Sequence, residues 1–254
     1  MTTLDSRNGM DTSVMPDHDI DEISDEEGIG FAELGELFAN RANTYRLLST
    51  LYLKEIDAET LDALRHMRFP ARTGNAKVDE GYREIATYLA NSWTNSIEKL
   101  AVDFTRIFIG AGIDAYSAAY PYESVYTSEK RLAMQDARDE VLAIYRSEHL
   151  DPTPIREMGR IEGEDHIALE LAFMGMLCER TAEALGRSDE ATADRLTIVQ
   201  RNFLEDHLAA WYPVFTADIR HFAKTRFYQG LATLTDGFLE QESAFLAELL
   251  DTEE

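Results

Sequence analysis

Residues 31–52 read Phe31-Ala-Glu-Leu34-Gly-Glu-Leu-Phe38-Ala-Asn-Arg-Ala42-Asn-Thr-Tyr45-Arg-Leu-Leu48-Ser-Thr-Leu-Tyr52, and this stretch decides the fold class. Phe31, Leu34, Phe38, Ala42, Tyr45, Leu48 and Tyr52 recur three or four residues apart, which places them on one face of a helix. The same period continues through most of the chain. Helices are expected over 58–68, ending before Pro70, over 79–94, and from Asn95 to Ile109 with a stop at Gly110. Others are expected over 129–148, with Met134, Ala137, Val141 and Ile144 or Tyr145 inward, and over 164–185. Another runs from a cap at Ser188 to Trp211, where Pro213 kinks or restarts it. Two more fill 214–228 and 230–250. No alternating strand pattern of convincing length occurs. The expected architecture is all-α, a single globular domain of about eight to ten helices over 29–254, with residues 1–28 as a mobile acidic tail.

Composition narrows the function. The chain has 254 residues, with 24 Lys and Arg against 48 Asp and Glu, a net charge of −24. Such a surface repels phosphate, so nucleic acid is not an expected partner. At 44% hydrophobic residues it has enough apolar matter for a core, yet no apolar run approaches the length of a membrane span. The acidic start does not resemble a signal peptide, and the lone Cys178 excludes an intramolecular disulfide. A cytoplasmic protein is the simplest reading. Cys178 lies on an apolar helical face beside Met174 and Leu177 and reads as buried.

Nucleotide-binding loops, His-Glu-x-x-His and Glu-x-x-His metal patterns and the serine-hydrolase elbow are all missing. No cofactor, metal or catalytic residue is therefore assigned. Two segments carry polar and aromatic groups worth noting. Glu162-Gly163-Glu164-Asp165-His166 opens an apolar helix. It reads either as capping plus surface charge, with Asp165 as a cap and His166 partly protonated, or as a polar anchor at a groove mouth. Gly110–Ser128 is a long aperiodic loop holding Tyr116, Tyr120, Tyr122 and Tyr126. Its tyrosines either pack it onto the body or line a groove for a peptide. Glu205-Asp206-His207 reads as a solvated helix face.

The same segments carry a resemblance. Glu162-x-x-Asp165-His166-x-x-x-Glu170-Leu171 resembles the E-x-x-D-H-x-x-x-E-L hallmark of the TorD/DmsD family of redox-enzyme maturation chaperones. Tyr120–Tyr126 is similar to that family's loop ending in S-V-Y, and His207-Leu208-x-x-Trp211-x-Pro213-x-Phe215 followed by Phe227-Tyr228 to its C-terminal stretch. The family often has proline within the E-x-x-D-H segment, where Gly163 and Glu164 stand here, and tryptophan and glycine where Tyr122 and Glu123 stand, and the acidic extension is not part of its pattern. The resemblance implies an all-helical cytoplasmic chaperone. Its partners would be the twin-arginine signal peptide and the catalytic subunit of a molybdopterin oxidoreductase, typically of the DMSO/TMAO reductase class. Relatives serving nitrate, formate or selenate enzymes are the alternative, and a nucleotide-handling hydrolase or a plain scaffold lies further off. It also implies monomers or domain-swapped homodimers, with hinges at 70–77 or 150–160. Asp165 and His166 match the family's signal-peptide-binding pair, Tyr122, Ser124 and Tyr126 its loop, and Glu162 and Glu164 add carboxylates that suit arginines.

Overall fold

The structure, a computed structural model, describes residues 30–91, 94–110 and 117–251. The expected acidic tail and Tyr116 lie outside them. Helix α1 (Phe31–Leu53) buries Phe38, Ala42, Tyr45, Leu48 and Tyr52 as the spacing requires, while Phe31 at its start stays exposed. It packs along the strongly apolar α8 (Ile167–Gly186), whose Leu169, Phe173, Met174 and Leu177 are fully buried. Cys178 is buried there too, its thiol pushed up to about 12 by desolvation.

A second pair is α3 (Ala76–Ala90) against α11 (Arg226–Asp251). Their backbones come so close that a Cβ on Gly81 would lie 2.5 Å from the backbone nitrogen of Leu234. Only glycine fits that crossing. The chain also forms α2 (Ala58–His66) and α4 (Ser96–Phe104), the latter continuing as a wide π turn over Thr105–Ile109. Then come the short α5 (Glu123–Thr127), α6 (Asp136–Ser147), α7 (Thr153–Gly159), α9 (Glu190–Phe203) and α10 (Ala209–Phe222). One hydrophobic core joins α1, α3, α8 and α11 to the rest, with Tyr52, Phe108 and Phe215 in mutual ring contact and Trp211 against Phe215.

Local chemistry accounts for the ends. Asp57 accepts from Thr60 N at 2.8 Å, Asn75 from Lys77 N and Val78 N, and Asp189 from Thr192 N, each satisfying a free amide of a first turn. Ser188, expected as a cap, instead takes a left-handed conformation at φ 56°, and the next residue caps.

The structure moves several expected boundaries. Residues 129–135 are not helical. Arg131 and Met134 there have positive φ, and Met134 is exposed rather than inward. Residues after Asp151-Pro152 form α7, because proline is well placed in a first helical turn. Pro213 lies inside a helix and does not restart one. The chain stays helical from Glu190 to Phe222, widened over Leu204–Leu208 into a second π turn just before the proline. The final break falls at 223–225 instead of 229, where buried Asp103 accepts from Lys224 N, Thr225 N and the Thr225 hydroxyl. The residues described include no strand, only a single bridge between Tyr122 and His166.

Candidate functional site

That bridge is the centre of the site. Glu123 N donates to Asp165 O at 2.9 Å and Ile167 N to Pro121 O at 3.0 Å, so the loop before α5 and the segment before α8 run as two short antiparallel pieces. Asp165 is fully buried. Its Oδ2 accepts from Ser124 N at 2.9 Å and, at close range, from the Ser124 hydroxyl, which in turn accepts from Gln135 N. Asp165 therefore caps the start of α5, not α8. Its Oδ1 has no hydrogen-bond partner and lies beneath Gly163, where any side chain would come within 2.6 Å of it.

The cap of α8 is His166. Its Nδ1 accepts from Ala168 N at 3.0 Å, which leaves the ring proton on Nε2. Burial pushes its pKa down to about 3, so the expected partial protonation is replaced by a neutral ring. The Tyr122 ring meets it edge-on at 5.1 Å.

His166 and Tyr122 form part of the wall of a groove of about 770 Å³. The other walls are Leu53 at the end of α1 with Ile56 after it, Ile97 and Phe104 of α4 with Phe108 of the π turn, and Met158 of α7 with Ile161 after it. Ile97, Ile109 and Met158 stand exposed around it at 38%, 54% and 63%. The π turn after α4 turns both Phe108 and Ile109 to this side. Lys54, Glu55, Asp57 and Arg160 provide charge at the rim, and Lys54 is paired with Asp57 at 2.8 Å.

The other candidate residues lie around the groove without lining it. Ser124 is buried beneath it. Tyr126 stacks on Trp211 at 5.4 Å and donates to Asp218, and so packs the loop onto the body. Glu162 is exposed, while Glu164 is buried with each oxygen held by an arginine: Arg138 Nε at 2.6 Å and Arg156 Nη1 at 2.5 Å. Behind them, buried Glu123 accepts from His207 Nδ1 at 3.1 Å, so His207 faces inward although Glu205 and Asp206 beside it are exposed. Burial, with Glu123 and Asp165 nearby, holds the Glu170 carboxyl well above the usual carboxylate range, and its Oε2 accepts from Trp211 Nε1.

Sequence reasoning missed Arg138, Arg156 and Glu123. The two arginines are 26 and 8 residues from Glu164 on separate helices, and no spacing rule links them. Glu123 carried a faint signal, a charge inside an otherwise aromatic loop. Among the described residues no cluster of His, Cys, Asp and Glu is arranged to hold a metal. No helix among them is long and apolar enough to cross a membrane.

The sequence profile of the family described as nitrate reductase delta subunit matches residues 74–217, more than half of the chain, and spans both halves of the bridge. The chain belongs to this family. It is similar to the chaperone protein TorD of Shewanella pealeana, at 27% identity over 221 residues covering 81% of this chain and 89% of the relative. It matches the TorD of Aliivibrio salmonicida at 28% over 227 residues, 85% and 98% of the two chains, and that of Vibrio parahaemolyticus at 24% over 218 residues, 81% and 94%. The TorD-like resemblance read from 120–126, 162–171 and 207–228 therefore extends across most of the chain, and the protein is placed among redox-enzyme maturation chaperones.

Proposed function

We propose that this chaperone binds the twin-arginine signal peptide of a molybdopterin-containing oxidoreductase of the DMSO/TMAO reductase class in the cytoplasm. It holds the apo-enzyme until its cofactor is inserted and delays export. The role is one of binding, not catalysis. The observation that carries this reading is the open groove with apolar walls and His166 and Tyr122 at one side. A signal peptide offers a basic start and an apolar middle. The apolar middle suits Ile97, Phe104, Phe108, Ile109 and Met158 as a helix laid in a groove. The basic start suits a chain of net charge −24, which attracts cations at long range. Asp165 and Ser124 support the groove wall from beneath, and the neutral His166 offers its Nε2–H as a donor.

Calorimetry of the full chain with a synthetic twin-arginine signal peptide tests this, run beside a twin-lysine peptide and the His166→Ala variant, at low and high salt. Saturable binding that weakens in the variant and with salt is the expected result. Absence of binding to any of several such peptides overturns it. A second reading has its own support in the family description: the client is a nitrate reductase-type enzyme kept inside the cell. That client would bind through its mature domain, with no preference for twin arginines.

A further inference from the structure

Helix α7 is attached differently from its neighbours. None of its residues is fully buried, and Met158 is 63% exposed. Ile155 is half-buried against the core, and Gly159 approaches Leu53 so closely that a Cβ would meet it at 2.6 Å. The remaining polar attachment is Arg156. Its Nη1 donates to Glu164 at 2.5 Å and its Nη2 to Glu162 O at 2.9 Å, while its buried Nε has no acceptor. The same short helix supplies Met158 and Gly159 to the groove wall, with Arg160 and Ile161 following. Glu164 in turn lies two residues before His166 in the opposite wall, is almost wholly buried, and is occupied by two guanidinium groups of the chain itself.

We infer that Glu164 is a guanidinium-binding site that the unliganded chain fills with Arg138 and Arg156, and that an arginine of the client takes the place of Arg156 and so frees α7 as the movable wall of the groove. The inference rests on the signal-peptide reading and names the residue that distinguishes arginine from other cations. A buried carboxylate without a partner is strongly unfavourable, so it must be filled before the client arrives. Exchange of one guanidinium for another leaves that carboxylate compensated, so it meets no large electrostatic barrier. Arg156 is the one of the two that is less completely satisfied. Each makes a second bond, Arg138 to Asp139 at 3.0 Å and Arg156 to Glu162 O at 2.9 Å, but of the two only Arg156 keeps a buried Nε without an acceptor. A lysine lacks the planar fork that can bond a carboxylate oxygen and a neighbouring carbonyl together, as Arg156 does.

Hydrogen exchange over residues 153–161 of the full chain tests this without a signal peptide. Arg156→Gln speeds exchange there about tenfold while α8 and α11 are unchanged, as expected for a local opening. Arg156→Lys, which keeps the charge, gives an intermediate rate. Arginyl-arginine amide accelerates the same segment of the wild type in a saturable way, lysyl-lysine amide at equal ionic strength does not, and Glu164→Gln abolishes the difference. Equal exchange in Arg156→Gln and wild type, or equal response to the two dipeptides, overturns the inference. Failure of signal peptides to bind would count against the function proposed above and leave this readout standing.

Discussion

Asp165 holds Ser124 twice through one oxygen, by the backbone N–H and by the hydroxyl, so a carboxylate at the entry to α8 fixes the first turn of α5. Both residues are fully buried. Hydrogen bonds to a buried charge are among the stronger ones, so Asp165→Ala is expected to lower the unfolding free energy by about 3 kcal/mol. Ser124→Ala, which removes one of the two, should cost roughly half of that. Urea unfolding of both variants checks this. Loss of less than about 0.5 kcal/mol in Asp165→Ala would show the cap to be dispensable.

His166 makes the fold acid-sensitive. Its pKa is pushed down to about 3 in the folded chain, below its ordinary value of 6.5, so the folded state binds fewer protons than the unfolded state between those pH values. Its contribution is complete above pH 6.5 and is lost as pH falls toward 3. At pH 5 the loss is about 2 kcal/mol, from 1.4 kcal/mol per pH unit. His166→Asn keeps an N-cap acceptor and removes the titration. The difference in urea midpoint between pH 7 and pH 5 should therefore shrink in the variant. An identical difference in both proteins would contradict the neutral buried ring.

The groove's rim can be altered without touching the core. Ile97, Ile109 and Met158 are exposed, so their replacement by serine should leave stability within about 0.5 kcal/mol. Each replacement should weaken a twin-arginine signal peptide by roughly tenfold, as expected for a lost apolar contact of about 1.5 kcal/mol. Calorimetry and thermal melts on the same samples separate the two effects. Unchanged affinity in all three variants would move the peptide elsewhere.

Helices α1 and α11 are joined by Arg41 and Glu242, a bidentate pair with both partners buried and the guanidinium 4.6 Å from the rings of both Phe38 and Phe245. Removing one charge strands the other, so Glu242→Leu should cost about 4 kcal/mol. The double variant Arg41→Met/Glu242→Leu should recover most of it. A double-mutant cycle in urea measures this, and additive losses would show that the charges do not depend on each other.

The helices were legible where apolar residues recur at helical spacing, as in α1 and α8, because burial selects that spacing directly. Their junctions were less so. α7 has few apolar residues to reveal it, and the π turn that precedes Pro213 leaves no mark in composition. Of the site, Asp165, His166, Tyr122 and Ser124 were found through the motif resemblance, and the structure gathers them at one bridge. What lay beyond reach was the division of labour. Asp165 and Ser124 support, His166 and Tyr122 face the groove, and Tyr126 packs on Trp211. Glu164 is held by arginines on two other helices. These outcomes depend on partners distant in sequence, which no local pattern encodes.

The wide turn over Leu204–Leu208 holds one residue more than an α-helical turn would. An ordinary helix turns about 100° per residue, and the wide turn absorbs its extra residue by turning less at each step, so losing one residue there would leave everything downstream facing as before, whereas regularising the turn at constant length would swing it by about that angle. His207, bonded to Glu123, and Trp211, bonded to Glu170, could then no longer face the same interior. The aim of these two side chains is thus set by the wide turn itself, so a change that regularises it at constant length is more disruptive than many changes of residue type along the helix.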